Sequence, residues 1–535
     1  MIMLRDPIHL EVFKHLFASI AEEMGVVLRK ASFSPNIKER RDFSCAVFDP
    51  HARMIAQAAH IPVHLGAMPL SVEAAIHKFN IDSLNPGDLI ILNDPFMGGT
   101  HLPDITMVSP VYQHPEDVPS IRELIGFVAS RAHHADVGGM TPGSMPVARE
   151  IYQEGLIIPP LKLIEAGSIN QAVLDLVLAN VRTPQERSGD LDAQIAANRR
   201  GSERLQELTA RYGIDVIHHF MSELLVYTER MTRELLTDIP DGDYIFTDQL
   251  DDDGITDNPV SINVKIRIIN DKACVDFTGS AHQQTGSVNA VYAITLSAVY
   301  YIFRCLLGLD VPNNSGCLVP IEVIAPPGSV VNALHPAAVA GGNVETSQRI
   351  VDTLLGALSQ ACPDRIPAAS QGTMNNVTIG GNEPTGESGQ SLPFAYYETI
   401  GGGMGARPNS NGISAIHSHM TNTLNTPVEA LEYAYPLRVL RYEIRPGSGG
   451  EGKYHGGDGI RRDIQLLADA QVTLLTERRI YPPYGLEGGF PGKCGENRLI
   501  RDNVEIDLPG KGSFELKAGD VLSIRTPGGG GYGTK

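Results

Sequence analysis

The sequence predicts a mixed α/β (α+β) protein of several subdomains, with mixed sheets, helices and a β-rich C-terminal region. Apolar residues recur at helical spacing over long stretches, as from Ile8 to Val27. Short apolar runs at 88–92 and 124–130 have the length and composition of buried strands. From Gly401 onwards, glycine clusters and short strand patterns replace the helical ones. Helical and strand patterns therefore both contribute to the predicted fold.

The chain has 535 residues, which is too long for a single hydrophobic core. We therefore expect three regions. Residues 1–238 form an N-terminal α/β domain that carries the candidate site. Residues 239–400 form a central region of strands and helix, and residues 401–535 form the glycine-rich, β-rich C-terminal region.

Helices and strands alternate in the N-terminal region. A helix runs from Ile8 to about Ser32, where Ser34-Pro35-Asn36 ends it. The elements predicted after it are strands at 42–48 and 54–57, a loop at 61–66, a short helix at 70–79, and buried strands at 88–92 and 124–130. Each of the last two strands ends directly on a loop rich in potential metal ligands. A rigid strand places such a loop well.

The remaining elements change from helix to strand along the chain. Residues 190–236 are helical with a break near Gly213, and 242–277 alternate in the manner of antiparallel strands. Helices follow near 290–307 and 346–360. We interpret the glycine clusters GGGMGARPNSNG, SGGEGKYHGGDGI and TPGGGGYG as tight turns and close backbone packing. None contains GxxxxGK[ST] or a strand–GxGxxG–helix unit, so the sequence predicts no nucleotide site.

Composition excludes several functional classes. The net charge of -19 and the pI near 5.3 argue against a nucleic-acid-binding surface. The six cysteines are scattered without a CxxC pair, which argues against a four-thiolate zinc site and a disulfide framework. Acidic residues within the first 30 positions argue against a signal peptide. The most apolar stretch, 288–307, contains Asn289 and Arg304, so we expect a buried helix in a cytoplasmic protein without membrane spans.

The main functional signal lies between Asn93 and Gly139. NDPFMGGTHLPD and RAHHADVGG together supply five potential metal ligands: His101, Asp104, His133, His134 and Asp136. Imidazole and carboxylate suit a catalytic divalent ion, for which we expect zinc, manganese or iron. The three-residue spacing of HLPD suits a loop or the first turn of a helix. The alternative is a hydrogen-bonded His/Asp network without an ion.

The pattern also ranks the ligands. Adjacent His133 and His134 point to opposite faces of an extended chain, so only one can be a ligand, and we prefer His133. We expect His134 to contact substrate. Upstream, NIKERRDFSC supplies Asp42, our preferred fourth ligand because it starts a strand and has a short reach, with Glu39 as the alternative.

Neighbouring polar residues receive supporting roles. We assign Asp104, His134 and Asp136 to the catalytic set. His64 and Asp94, and also Asp136, are candidates to orient the ligands, because ligating imidazoles usually donate their second N–H to an acceptor.

A second polar cluster occurs in HSHMTNTLNTPVEALE, which contains His417 and His419. It predicts a substrate pocket facing the metal or a contact between subunits. Capping of a helix that starts near Pro427 explains Thr426 and Glu429 but not the two histidines.

At these residues the chain resembles the hydantoinase B (HyuB) family. Members are the B subunits of ATP-dependent hydantoinases, the C-terminal part of 5-oxoprolinase and, more distantly, the alpha subunits of acetone and acetophenone carboxylases. The stretches that carry the resemblance are NIKERRDFSCAVFD, IPVHLGAMP, LNDPFMGGTHLPD, RAHHADVGGMTPGSMP, NTPVEALE and TPGGGGYG. They span nearly the whole chain.

The resemblance implies a metal site at Asp42 (or Glu39), His101, Asp104 and His133. It also implies a HyuA-like partner subunit that binds ATP and magnesium and phosphorylates the substrate oxygen. We expect a hetero-oligomer with two copies of each chain. A small cyclic amide such as a hydantoin, 5-oxoproline or a lactam would be the substrate, and a divalent ion here would help water attack the activated carbon.

Two enzymatic functions and one non-enzymatic role compete. The preferred function is the metal-dependent subunit of an ATP-dependent cyclic-amide hydrolase. The alternative is the alpha subunit of an acetone- or acetophenone-type carboxylase, whose chains tend to be longer. A scaffold that only stabilises its partner would not need the ligand cluster.

Overall fold

The computed structural model of the chain describes residues 7–58, 61–113, 123–308, 310–384 and 391–535. Within these ranges it contains nine α-helices and four mainly antiparallel sheets, with a strand-rich C-terminal region. The predicted mixed fold class is therefore confirmed. No helix of the described ranges is long and apolar enough to cross a membrane.

The first sheet carries the candidate site. Its strands are β1 (Phe43–Phe48), β2 (Met54–Gln57), β3 (Leu89–Leu92), β4 (Asp104–Tyr112), β5 (Leu124–His133), β6 (Leu161–Glu165) and β7 (Ser168–Ile169). They are antiparallel in the order β2-β1-β5-β4-β3-β6-β7. Strand β5 continues to His133, three residues beyond the predicted end at Ser130, so His133 lies on the strand and not in the loop after it.

Helices cover both faces of this sheet. They are α1 (Pro7–Ala31), α2 (Pro35–Lys38), α3 (Ala67–Phe79), α4 (Gln171–Ala179), α5 (Pro184–Tyr212) and α6 (Ile214–Thr237). On one face, Phe13 of α1 stacks on Phe220 of α6 with ring centroids 4.2 Å apart. On the other face, Met68 and Val72 of α3 pack against Val108 and Phe127. The predicted break near Gly213 separates α5 from α6, and α3 begins three residues earlier than predicted.

The second sheet consists of β8 (Gly242–Leu250), β9 (Val260–Ile269), β10 (Lys272–Asp276) and β11 (Ile321–Ile324), in the order β11-β10-β9-β8. Its β10–β11 pair is parallel. Helices α7 (Tyr292–Leu307) and α8 (Ser347–Leu358) accompany it, close to the predicted bounds. One apolar core joins side chains from all three predicted regions, including Ile91, Val264 and Leu475. The domain boundaries at 238 and 400 stay a prediction.

Two sheets form the C-terminal part around a common apolar core. The third sheet has β12 (Asn376–Pro384), β13 (Ser391–Glu398), β16 (Ala470–Leu475) and β19 (Lys511–Leu516); the fourth has β14 (Leu437–Arg445), β15 (Gly459–Leu466), β17 (Glu496–Arg501), β18 (Val504–Leu508) and β20 (Val521–Arg525). Their strand orders are β13-β12-β16-β19 and β14-β15-β20-β17-β18. The short helix α9 (Val428–Ala434) begins directly after Pro427, as predicted.

The glycine clusters pack backbone against backbone. The Gly450 N–H donates to the Gly529 carbonyl at 2.8 Å, and the Gly457 N–H donates to the Met404 carbonyl at 2.8 Å. A Cβ added at Gly403 would lie 2.0 Å from the Gly457 oxygen, and one at Gly529 would lie 2.1 Å from the Met404 oxygen. Only glycine allows such close approach. The prediction of close backbone packing is confirmed for these segments.

Candidate metal centre

His101, Asp104 and His133 converge at one end of the first sheet. Asp104 is the first residue of β4 and pairs directly with His133, the last residue of β5. His101 lies three residues before Asp104, in a turn closed by the Asp104 N–H donating to the His101 carbonyl at 3.1 Å. One ligand atom from each residue lies within 4.8 Å of the others. HLPD therefore forms a turn that leads into a strand, and the helical alternative is wrong.

These three side chains fit a metal ion. They are 0%, 1% and 2% exposed for His101, Asp104 and His133. The His101 Nδ1, Asp104 Oδ1 and His133 Nε2 atoms are buried without a hydrogen-bond partner. Buried polar atoms are normally satisfied, so three such atoms in one cluster call for an occupant. Two imidazoles and a carboxylate form a donor set that divalent ions such as zinc use.

His133 is held in one orientation. The Asn36 Nδ2 atom lies 3.2 Å from its Nδ1 atom, and the ring stacks on Tyr397 with centroids 4.0 Å apart. Burial and the neighbouring His101 hold the pKa of His133 well below its usual value. The ring is therefore neutral, and its free Nε2 atom can ligate a metal.

His101 is held from the central region of the chain. The Asn343 Nδ2 atom lies 3.0 Å from the His101 Nε2 atom. Asn343 belongs to a π-helical turn, Gly342–Thr346, that precedes α8. The Oε1 atom of Glu154 accepts from the N–H groups of Val339 and Ala340 at 2.8 and 2.9 Å, just before that turn.

Asp104 stays ionised although it is buried. Burial opposes its ionisation, but His101 and His64 together hold its pKa well below the usual value. Its Oδ2 atom lies 3.3 Å from the His101 Nε2 atom and 3.5 Å from the His64 Nε2 atom, and it accepts from the Thr100 hydroxyl. His64 is oriented in turn by Ser44, whose Oγ atom lies 2.9 Å from its Nδ1 atom.

Asp42 lies beside the cluster but outside the group of three. Ala132 of β5 pairs with Phe43 of β1, and the His133 N–H donates to the Asp42 carbonyl at 3.0 Å. Asp42 and Asp104 therefore flank His133 at the same end of three adjacent strands. Burial raises the pKa of Asp42 to about 7, with Arg40 opposing and Asp104 adding to the rise. The alternative, Glu39, is half-buried at the end of α2.

The other predicted residues lie apart from the cluster. The His134 Nε2 atom lies 2.9 Å from Gln194 Oε1 on α5, and burial, together with Arg187, lowers the pKa of His134 to about 4. The Asp136 carboxylate accepts from Gly138, Gly143 and Arg182 and so organises its own loop. The Asp94 carboxylate accepts from the Phe96 N–H at 2.9 Å, at the start of a 3₁₀ turn.

His417 and His419 line a separate cavity of about 450 Å³. A polar path joins this cavity to the cluster. His417 Nδ1 lies 3.5 Å from the Thr423 hydroxyl, which accepts from Arg40 at 3.5 Å. Arg40 also donates to Asn36, the residue that orients His133.

Sequence reasoning missed Asn36, Asn343 and Tyr397. Asn36 stands within NIKERRDFSC, six residues before Asp42, so its place in that stretch was the available signal. Asn343 and Tyr397 come more than 200 residues after the ligands, and no local pattern connects them with the site.

The chain matches a known protein family over nearly its whole length. The model of the hydantoinase B/oxoprolinase family matches residues 6–535. The chain belongs to this family. It is 41% identical to 5-oxoprolinase 1 of Arabidopsis thaliana over 99% of its own length, but it spans only 42% of that protein. It is 33% identical to the B subunit of a putative D-/L-hydantoinase of a Pseudomonas species, covering 99% of this chain and 90% of the relative.

Two solved structures share the fold. The ATP-dependent caprolactamase of Pseudomonas jessenii superposes with a TM-score of 0.89 at 30% identity, covering 99% of this chain and 91% of that chain. Acetone carboxylase superposes with a TM-score of 0.87 at 19% identity, covering 99% and 76%. At that lower identity the likeness shows a common fold and nothing about the reaction.

Proposed function

We propose that this chain is the metal-dependent subunit of an ATP-dependent cyclic-amide hydrolase. Its substrate is a hydantoin, 5-oxoproline or lactam that a HyuA-like partner has phosphorylated with ATP and magnesium. The observation that carries the proposal is the buried His101, Asp104 and His133 group with its three unpartnered atoms. The names of the relatives support the reaction class, since they are an oxoprolinase, a hydantoinase component and a caprolactamase.

His101, Asp104 and His133 would hold the ion, and we propose Asp42 as the fourth ligand. Its position next to His133 across β1 and β5 supports this choice over Glu39. Zinc, manganese and iron all suit such ligands. A divalent ion held there would lower the pKa of a water molecule towards neutrality.

The protein's own residues set up the remaining chemistry. Asn36 and Tyr397 fix the His133 ring, and His64 fixes Asp104, so the ligands are oriented before substrate arrives. Full burial excludes bulk water and strengthens the electrostatic interactions inside the site. We propose that Asp104 takes part in the reaction directly, as a ligand of the ion. His134 and Asp136 would affect the reaction indirectly, by holding the chain that follows His133 in place. Asp94 would do the same for the turn before His101.

The reaction balances with two water molecules. The partner transfers a phosphoryl group from ATP to the amide oxygen, which makes the carbon a better electrophile. Water adds to that carbon, the C–N bond breaks, and the ring nitrogen takes a proton. This leaves an acyl phosphate. A second water attacks its carbon and the C–O bond to phosphate breaks, so the products are ADP, phosphate and the ring-opened acid, which is an amino acid from a lactam or 5-oxoproline and an N-carbamoyl amino acid from a hydantoin.

The partner is a proposal that rests on two observations. The name of one relative makes it the B subunit of a hydantoinase, which implies at least one further chain in that enzyme. The 5-oxoprolinase relative is more than twice as long as the matched part, so it contains further chain that could supply activation. We propose a hetero-oligomer with two copies of each chain.

Isotope labelling tests the proposed function. The complex with its partner should open a cyclic amide in ATP, magnesium and ¹⁸O-labelled water without bicarbonate. Label should enter the product carboxylate, while the original carbonyl oxygen leaves in phosphate. The Asp104→Ala complex should consume ATP without forming ring-opened product. A requirement for bicarbonate, with a new carbon–carbon bond formed on a ketone, would instead establish the carboxylase alternative.

A further inference from the structure

The cavity beside His417 and His419 has an apolar body. It lies between α7 and the loops around residues 366 and 416, and it holds about 450 Å³. Tyr301, Ile302, Leu355 and Ile366 contribute to its wall. A chamber of this size takes a small ring compound.

Its charged lining has one sign. Arg365 and Arg407 supply its charge, and none of the described residues that line the cavity is an aspartate or glutamate. His417 and His419 also line it, but burial lowers the pKa of both rings, so they are neutral polar groups. The whole chain carries 62 acidic and 43 basic residues, so a cavity of average composition would contain more acidic than basic side chains. The cavity departs from that average in the direction that attracts anions.

The two arginines are not neutralised. Arg365 donates to the Leu306 carbonyl at 2.7 Å, and Arg407 contacts the Met404 sulfur at 3.8 Å. Neither guanidinium forms an ion pair with a carboxylate of the described ranges. Both residues are exposed, so they stand where the cavity opens to solvent.

Three buried polar atoms in the same lining also have no hydrogen-bond partner. They are His417 Nε2, Ser418 Oγ and His419 Nε2. Asp352 Oδ1 lies 3.7 Å from His419 Nε2, but the other oxygen of that carboxylate accepts from Arg478 at 2.5 Å. Buried polar atoms without partners are costly unless a ligand satisfies them.

The floor of the cavity adjoins the metal cluster. Pro62 lines the cavity, and two residues further on His64 contacts Asp104. A hydrogen bond of 3.4 Å from the Val63 N–H to the Met420 carbonyl joins this segment to the His417 loop. These two segments therefore connect the lining of the cavity to the cluster.

We propose that this cavity binds a small organic anion, with the ring in the apolar chamber and the anionic oxygens at Arg365 and Arg407. The proposal rests on the proposed function and deepens it. In that setting the oxyanion is either a carboxylate of the cyclic amide or the phosphate added by the partner. Guanidinium groups recognise both through charge-assisted hydrogen bonds.

Calorimetric titration of the full chain, without ATP or partner, tests the anion site. The probes are 2-pyrrolidone-5-carboxylate, neutral 2-pyrrolidone and inorganic phosphate. At least one of the two anions should bind, and the Arg365→Ala/Arg407→Ala double variant should bind it about tenfold more weakly or worse. Arg149→Ala, which removes an exposed arginine outside the cavity, should bind as the unaltered chain does. The neutral lactam should not distinguish the variants.

The outcomes separate this proposal from the proposed function. Asp104→Ala should retain anion binding, because the arginines do not depend on the metal ligands. Tighter binding of the carboxylate would indicate that the cavity binds a substrate with a carboxylate group. Tighter binding of phosphate would indicate that it binds the phosphorylated substrate. Absence of binding by both anions, or unchanged binding in the double arginine variant, would overturn the anion site and leave the metal function untouched.

Discussion

Asp104 and His133 face each other as a directly paired couple across β4 and β5, the first residue of one strand and the last residue of the other. Paired residues in an antiparallel sheet project on the same face, with their Cβ atoms about 5 Å apart. Strand register alone therefore brings a carboxylate and an imidazole within reach of one ion, and the turn before β4 adds His101.

Removing a ligand should remove the metal. The protein as isolated should contain about one divalent ion per chain, and His101→Ala and Asp104→Ala should each lose it while keeping the secondary structure. Elemental analysis with circular dichroism checks both points. Full metal content in both variants would exclude this cluster as the site.

The neighbouring histidine is the matched control. His134→Ala should keep its metal, because the ring contacts Gln194 rather than the cluster. It should lower the free energy of unfolding by about 1–3 kcal/mol, since Gln194 loses a buried partner. Denaturant titration and elemental analysis of the same sample measure both effects. Metal loss here would make His134 the ligand in place of His133.

Asn36→Ala should weaken metal binding without removing a ligand. The His133 ring would lose the amide that fixes its orientation, and such supporting contacts typically change affinity about 10- to 100-fold. Competition with a chromogenic chelator gives the dissociation constant. Asn382→Ala, on an exposed part of β12, is the control and should have no effect.

Glu154 should make stability depend on pH. Burial raises the pKa of Glu154 from its usual value near 4.5 to about 8. Between these two pH values the folded chain holds a proton that the unfolded chain releases. The contribution of Glu154 to stability is therefore fully present below pH 4.5 and is lost as the pH rises to about 8. The slope is at most about 1.4 kcal/mol per pH unit. Glu154→Gln cannot titrate at this position, so between pH 5 and 8 it should lose less stability than the unaltered chain. Urea unfolding of both proteins across this pH range measures the difference. Equal dependence of the unfolding free energy on pH in the two proteins would contradict the prediction.

The chain alone should neither bind nor hydrolyse ATP, because its glycine clusters are not phosphate-binding loops. Calorimetry with ATP and magnesium checks this, with the HyuA-like chain as the positive control. Tight ATP binding by the isolated chain would refute the division of labour between the two chains.

The elements with strong local patterns were predictable. The apolar period of α1 and the break at Gly213 are visible in the sequence because each is determined by neighbours along the chain. Strand β4 was not predicted. It is buried along its whole length, so it lacks the alternation of a half-exposed strand, and Pro110 interrupts its donor pattern.

The candidate site likewise has a part that local sequence patterns predict and a part that depends on tertiary packing. HLPD and RAHH indicated the convergent group because the residues before and after them form strands. Which histidine turns inward depends on contacts with Asn36 and Gln194, and these are set by tertiary packing. The cavity at His417 is formed by segments more than 350 residues apart, from Pro62 to Asn422, so no local window could describe it.

The packed glycine segments have a consequence for the order of biosynthesis. The Gly403 N–H donates to the Pro527 carbonyl, and the Gly529 N–H donates to the Gly457 carbonyl. Segments around 403 and 457 thus find some of their hydrogen-bond partners in the stretch 527–531, which a ribosome makes later. Met404 and Arg407, which line the cavity, belong to the first of these segments. We expect this part of the cavity wall to be held fully only when the stretch 527–531 is present, so chains truncated before Pro527 should be cleaved more readily by protease near Met404.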